Sequence, residues 1–274
     1  MIAPINKILP FSVVDGEGNR VSIFFQACNI KCIYCHNPET QTLCNSCGKC
    51  IETCPSNALK FHENNVLWIE SNCTHCDTCI TKCQNFSSPK VKYMSVLEVY
   101  NEIQKSIPFI RGITVSGGEC TLYADFLQEL FLICKKDGLT CLIDTNGATD
   151  LTACKNLIEI CDGVMIDVKA WNIEKFINLT GCDNHNLENN LKYLQKQDKI
   201  EEIRIVYIEN FVDAEDILNN LYNIISKNTK IKLIKFRKNG VKTAFSNMPS
   251  PSDEIMLDIK NYANNLGFTN VIII

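Results

Sequence analysis

Short apolar runs alternate with longer amphipathic stretches along most of this 274-residue chain. Strand-like runs lie at 20–27, 112–116, 140–145, 163–168, 202–208, 231–236 and 270–274. Between them, helical patterns are predicted near 95–106, 124–136, 151–160, 187–197, 214–226 and 252–266. In Asp125-Phe126-Leu127-Gln128-Glu129-Leu130-Phe131 the apolar positions recur at i, i+1, i+4 and i+5, the spacing of one helix face. Repeated βα units predict a parallel sheet whose chemistry gathers at the C-terminal strand ends. About six such units make an α/β fold of partial (β/α)6-barrel type. The segment 42–88 breaks the pattern: it lacks long periodic helices and is rich in cysteine. The expected organisation is therefore a barrel formed by 1–41 and 89–274, with 42–88 inserted.

Cysteine changes the picture most. Cys28, Cys32 and Cys35 form a C-x3-C-x2-C loop directly after the first apolar run. Three thiolates so closely spaced can hold three irons of a [4Fe–4S] cube, leaving the fourth iron open to a non-protein ligand. Within the insert, Cys44, Cys47, Cys50 and Cys54 give C-x2-C-x2-C-x3-C followed by Pro55, and Cys73, Cys76, Cys79 and Cys83 repeat the spacing. This is the two-cluster ferredoxin pattern, in which the fourth cysteine of each run ligates the other cube. Cys44, Cys47, Cys50 and Cys83 are thus assigned to one [4Fe–4S] cluster, and Cys54, Cys73, Cys76 and Cys79 to a second. Gln84 stands where the second run would carry proline. Zinc is the competing reading for both sets, a knuckle in the loop and all-cysteine sites in the insert. The twofold x2, x2, x3 repeat favours the cubes. A domain as small as this insert is held together by its clusters more than by an apolar core.

Composition narrows the setting. The chain has 17 cysteines, and Met1 to Phe11 lacks a basic start followed by an apolar stretch. Metal in a reducing cytoplasm is expected rather than disulfides, and anaerobic chemistry with it. The six cysteines outside the motifs lie mostly among apolar residues and read as small buried hydrophobes. The formal net charge is −4. Three oxidised clusters bring it to about −9, which disfavours nucleic acid as a partner. No polybasic run marks a membrane surface, and no apolar run approaches the length of a membrane span.

The strand-end motifs carry a resemblance. The second predicted strand ends in Ser116-Gly117-Gly118-Glu119, the third in Asp144-Thr145-Asn146-Gly147, and the fourth in Asp167-Val168-Lys169. Together with the three-cysteine loop, they resemble the radical S-adenosylmethionine (SAM) enzymes, and within them the glycyl-radical-enzyme activases related to the pyruvate formate-lyase activase. The similarity runs over almost the whole chain. It includes Asp15-Gly16-Glu17-Gly18-Asn19-Arg20, Phe24-Phe25-Gln26-Ala27-Cys28, Tyr34-Cys35-His36-Asn37-Pro38 and Asp167-Val168-Lys169-Ala170-Trp171. The ferredoxin insert marks the larger activases, and the details are most similar to the YjjW-type subfamily.

The resemblance implies roles residue by residue. Cys28, Cys32 and Cys35 would hold the SAM-cleaving cluster. Tyr34, Cys35 and His36 would line the adenine side of SAM. Gly117, Gly118 and Glu119 would meet its methionine amine, and Asp167, Val168 and Lys169 its ribose and carboxylate. Asp144, Thr145 and Asp167 resemble a monovalent-cation site, with Asn146 in the same block. Arg204 on the fifth strand would pair with the SAM carboxylate. Two positions depart from the pattern. Glu17 replaces the proline of an Asp-Gly-Pro-Gly turn, which is expected to alter stiffness near the barrel entrance. Arg237 replaces a SAM-contacting histidine and is expected at the SAM pocket, where it would partly take over that contact.

The implied reaction uses three [4Fe–4S] clusters and SAM. A flavodoxin or ferredoxin supplies the electron, and a 5′-deoxyadenosyl radical removes a Cα hydrogen from a glycine loop of a partner glycyl radical enzyme. Two other readings compete. One is a radical SAM enzyme with auxiliary clusters acting on a small molecule or peptide. The other is a ferredoxin-like electron carrier, against which Gly117-Gly118-Glu119 and the other strand-end blocks argue.

Overall fold

The computed structural model describes residues 1–274. The chain opens with β1 (Ile2–Ser12) and β2 (Arg20–Phe25) as an antiparallel hairpin. A small hairpin, β3 (Leu59–His62) with β4 (Asn65–Trp68), and the short α1 (Thr78–Lys82) follow. The βα series then resumes: β5 (Lys92–Ser95), α2 (Val96–Gln104), β6 (Gly112–Gly117), α3 (Ala124–Lys136), β7 (Thr140–Thr145), α4 (Lys155–Ile160) and β8 (Gly163–Asp167). It closes with α5 (Ile173–Thr180), α6 (Leu187–Lys196), β9 (Ile200–Tyr207), α7 (Ala214–Leu221), β10 (Ile231–Lys235), α8 (Asp253–Asn265) and β11 (Val271–Ile273).

Nine strands form one sheet in the order β11-β10-β9-β8-β7-β6-β2-β1-β5. Every pairing from β2 through β11 is parallel, as expected from the βα alternation. The sheet keeps two free edges, so the barrel is partial. Strand residues Ile23, Val115, Ile143, Ile166, Ile205 and Leu233 join Leu127, Phe131, Leu191 and Leu218 of the helices in one buried core. Local chemistry sets the helix starts. Ser95 and Glu98 form a reciprocal capping box at α2, and Ser252 caps α8.

Some expectations needed correction. The strands β1 and β5 were not foreseen. Both lie at the antiparallel margin of the sheet, where exposed positions interrupt the apolar pattern. The helix α5 was also missed. It is only eight residues long, started by the Asn172 side chain and ended by Gly181 at φ 73°. The Asp15–Arg20 motif lies away from the barrel mouth. It forms the β1–β2 turn at the N-terminal end of β2, opposite the cysteine loop. There buried Arg20 donates to Thr114 Oγ1 (2.8 Å), the Ile113 carbonyl (2.6 Å) and the Thr140 carbonyl (2.9 Å), tying β2, β6 and β7 together. The Glu17 departure therefore bears on sheet assembly; its carboxylate pairs with Arg111 at 3.0 Å on the surface.

Candidate active site

At the C-terminal ends of β2 and β6–β8 the chain opens into a cavity. Its walls include Cys28, Cys32, Cys35 and His36 from the loop after β2, and Gly117 and Gly118 from the end of β6. Asp144, Thr145 and Asn146 come from β7, and Asp167 and Lys169 from β8. Consecutive parallel strands place these residues side by side although up to 141 positions separate them.

The backbone packs closely beneath this wall. Gly117 sits at φ 118°, and a Cβ on Gly118 would lie 2.0 Å from the Ala27 carbonyl oxygen. Only glycine allows β6 to run this close to the root of the cysteine loop. Glu119, 1% exposed, turns into the protein instead of lining the cavity. Its carboxylate accepts from Thr121 N (3.1 Å), Thr121 Oγ1 (2.6 Å), Thr145 Oγ1 (2.7 Å) and Asn146 N (2.9 Å). Burial pushes its pKa up, against the pull of those donors. Asn146 in turn donates to Asn29 Oδ1 (2.9 Å) and Cys28 Sγ (3.5 Å).

The charged residues are paired. Lys169 Nζ donates to Asp167 at 2.6 Å, and Arg204 meets Asp144 at 3.1 Å and Glu202 at 2.6 Å. Ser116 Oγ donates to Asp144 at 2.8 Å. Burial raises the Asp144 pKa, with Arg204 opposing. Burial would raise Asp167 too, but Lys169 and Arg204 hold it low. Burial also pushes the Cys28 and Cys32 thiols up to about 12, and Cys35 upward.

Several predicted residues stand apart from the cavity wall. Val168 is buried in the core, and Tyr34 is 2% exposed with Lys169 Nζ 5.9 Å above its ring. The Tyr34 hydroxyl is buried without a hydrogen-bond partner. Arg204 reaches Asp144 from behind, and Arg237 has an exposed side chain. The Arg237 backbone does connect to the site: its carbonyl accepts from His36 Nε2 at 2.6 Å, which fixes the proton on that nitrogen. Sequence reasoning gave no role to Gln26 and Asn29, although they lie in the Phe24–Cys28 block and the cysteine loop, or to Asn190, which lies in no motif. Buried Gln26 donates to the Glu39 (2.7 Å) and Thr42 (2.6 Å) carbonyls and so pins the start of the insert. Asn190 donates to the Gly147 and Thr149 carbonyls and braces the loop after β7.

The insert holds two smaller cavities. One is bordered by Cys44, Cys47, Cys50 and Cys83, and the other by Cys54, Cys73 and Cys76; Cys79 borders both. The fourth cysteine of each run thus borders the cavity of the other run. The thiols ring these spaces, and no three His, Cys, Asp or Glu side chains are grouped to hold a single ion. Two further buried donors, Trp68 Nε1 and Ser87 Oγ, lack partners, and both residues border these cavities. Four thiols around a space with an unpaired donor beside it suit a cluster whose sulfurs accept hydrogen bonds.

The pattern shared by the radical SAM superfamily matches residues 68–221, more than half of the chain. The chain belongs to the radical SAM superfamily. A 4Fe-4S dicluster domain pattern matches residues 43–86, between the three-cysteine loop and most of the radical SAM match. The (2S)-3-sulfopropanediol dehydratase activating enzyme of Klebsiella oxytoca is 30% identical over 86% of this chain and 82% of its own length. The trans-4-hydroxy-L-proline dehydratase activating enzyme of Clostridioides difficile is 31% identical over 75% of this chain and 74% of its own. This radical SAM chain therefore sits among the activating enzymes of glycyl radical enzymes. The crystal structure of QueE from Escherichia coli shares the fold, with a TM-score of 0.59 at 15% identity over 100% of this chain and 94% of that one. No helix is long and apolar enough to cross a membrane.

Proposed function

We propose that this radical SAM activase removes a Cα hydrogen from a glycine of a partner glycyl radical enzyme, in an anaerobic cytoplasm, with a flavodoxin or ferredoxin as electron donor. The observation that carries this reading is the convergence of the three-cysteine loop and three strand-end motifs on one cavity. Cys28, Cys32 and Cys35 would hold a [4Fe–4S] cube, which would supply the electron for reductive cleavage of SAM.

The chain's own residues bind and orient. Gly117 and Gly118 leave their backbone open to the SAM amine. Lys169, paired with Asp167 at 2.6 Å, would meet the SAM carboxylate, and Asp167 the ribose hydroxyls. His36, held in one tautomer by the Arg237 carbonyl, would flank the adenine, and Tyr34, buried off the cavity wall, would support that side of the site. Arg204 neutralises Asp144 and keeps that wall of the pocket from repelling the SAM carboxylate. The carboxylates assigned by resemblance to a monovalent cation, Asp144 and Asp167, already have Arg204 and Lys169 as counter-charges. The residues 42–88 form the ferredoxin-like unit, with the cross-ligated cysteine sets as its two clusters.

Anaerobic incubation of the reduced, reconstituted enzyme with SAM and a candidate partner tests the reading. A glycyl-radical doublet in EPR, with stoichiometric 5′-deoxyadenosine, is the expected result. SAM cleavage with every candidate and a doublet with none would point to a small-molecule or peptide substrate.

A further inference from the structure

Three buried side-chain donors in the whole chain lack a hydrogen-bond partner, and all three lie at cysteine sites. Tyr34 is inside the C-x3-C-x2-C loop. The other two divide between the insert's cavities. Trp68 borders the space ringed by Cys54, Cys73, Cys76 and Cys79, and Ser87 the space ringed by Cys44, Cys47, Cys50 and Cys83. Burying an N–H or O–H with nothing to donate to is unfavourable, so such groups normally have acceptors. Trp68 also lines an open cleft beside β1, but cysteine thiols border the enclosed spaces that both residues line, and a cube there would add its sulfides as acceptors.

We propose that Trp68 and Ser87 are tuning residues, each donating a hydrogen bond to a sulfur of a different insert cluster and raising the reduction potential of that cluster alone. This rests on the reading of the insert as a two-cluster ferredoxin unit. Each cube takes one electron, passing from [4Fe–4S]2+ to [4Fe–4S]+. The added negative charge spreads over the sulfurs, so a donor aimed at them stabilises the reduced form.

The surroundings hold both donors in place. Trp68 ends β4 opposite Leu59, and the Ile69 amide donates to the Ala58 carbonyl at 2.8 Å. The Ala58 amide itself points at Cys54 Sγ, 3.2 Å away. The indole is thus locked to the backbone that carries a cluster ligand. Lys92 Nζ stands 5.6 Å above the indole ring, which leaves the edge with Nε1 free to donate. Indole nitrogen is a donor only, so no acceptor role competes. Ser87 is 2% exposed and follows Asn85, whose amide approaches Cys47 Sγ at 4.0 Å. Lys90 and Asp77 also border the Trp68 cavity, but they pair with each other. Lys49 at the Ser87 cavity is exposed to solvent screening and donates to Gln84 at 3.2 Å.

The test is an EPR-monitored redox titration with dithionite and mediators. It uses full-length, reconstituted protein carrying Cys32→Ala, so that the insert clusters hold the only iron. About eight irons per chain in this background confirm that two cubes are present; fewer than about four would sink both the ferredoxin reading and this inference. With both cubes present, Trp68→Phe should lower one midpoint by up to about tenfold in the reduction equilibrium, about 59 mV for one electron. Ser87→Ala should lower the other midpoint and leave the first unchanged. Trp68→His, which keeps a ring N–H, should recover part of the loss, and it also serves if the phenylalanine variant loses iron. Unchanged midpoints in both variants would overturn the proposal. So would the same midpoint moving in both, or loss of iron from both Trp68 variants.

Discussion

Glu119 accepts a hydrogen bond from the backbone amide of Asn146 at 2.9 Å, and Asn146 passes the connection on to Cys28 Sγ at 3.5 Å. A carboxylate at the end of β6 thereby fixes a ligand-bearing loop after β2 through a residue after β7. All of its named partners are donors, and an ionised carboxylate only accepts, so the match is complete.

Glu119→Gln would break that match by turning an NH2 group toward donors. Hydrogen bonds to a buried charge are worth about 1.5–3 kcal/mol each, and a net destabilisation of about 3 kcal/mol is expected. Asn146 would loosen with it, so SAM affinity should fall as well. Anaerobic urea unfolding and SAM-binding titrations check both. An unfolding midpoint equal to that of the parent protein would show that the network does not brace the site.

Much of this was legible because β2 and β6–β11 pair as a parallel sheet, where near-continuous apolar runs such as Gly163–Asp167 stand out. The cavity residues were legible because short motifs follow those strands directly. Marginal strands were not. In β1, buried Ala3–Ile5 give way to a second half with exposed Lys7, Leu9, Pro10 and Phe11 and no buried residue. The roles of the bracing polar residues were not legible: Gln26, though inside the Phe24–Cys28 block, and Asn190 act on backbone carbonyls, which no sequence pattern records. Arg237 shows a third limit. Its position after β10 is at the correct end of the sheet, but whether its side chain turns inward depends on the loop, and here only its carbonyl meets the site.

Iron content separates the three clusters. Reconstituted protein should hold about 12 irons per chain, and Cys32→Ala about 8, with no 5′-deoxyadenosine formed. Cys76→Ala should retain SAM binding and lose turnover, because its ligand set is separate from the SAM cavity. Stoichiometric zinc in the parent protein, or 5′-deoxyadenosine from the Cys32 variant, would contradict the assignment.

Cluster loading should depend on pH, and differently at the two kinds of site. Burial holds the Cys28 and Cys32 thiols up near 12 and raises Cys35. In the insert, burial raises Cys50 to about 11 and Cys79 upward, whereas hydrogen bonding from Thr78 lowers the exposed Cys76, and in Cys54 burial is outweighed by the Ala58 and Ser56 donors. Each insert set therefore carries one raised thiol where the loop carries three. Thiols must lose their protons to bind iron, so raising the pH favours loading most where the thiol pKa lies highest. Reconstitution at pH 7 should fill the insert ahead of the three-cysteine loop. Moving to about pH 8.5 should mainly increase the last four irons. Iron counted at both pH values in the parent and in Cys32→Ala checks this: the variant should show the smaller dependence, and equal dependence would refute the idea.

Gly118→Ala probes the tightest contact beneath the cavity. An added Cβ would stand 2.0 Å from the Ala27 carbonyl oxygen and 2.7 Å from the Thr40 oxygen, both backbone atoms that cannot rotate away. Either β6 or the segment leading into Cys28 must move, and overpacking of this kind costs about 1–3 kcal/mol. Ala27 immediately precedes the first cluster ligand, so the displacement falls on the SAM site. The insert clusters hang from separate backbone and should keep about eight irons. SAM affinity should drop by at least about tenfold, the equivalent of about 1.4 kcal/mol. Gly138→Ala is the control. Its added Cβ would meet nothing within 4 Å, so it carries only the strain of a left-handed backbone at φ 72°, far from the cavity. The control should lose some stability and no SAM affinity. Comparable SAM affinities in the two variants would mean that β6 does not approach the cysteine loop as closely as the cavity requires.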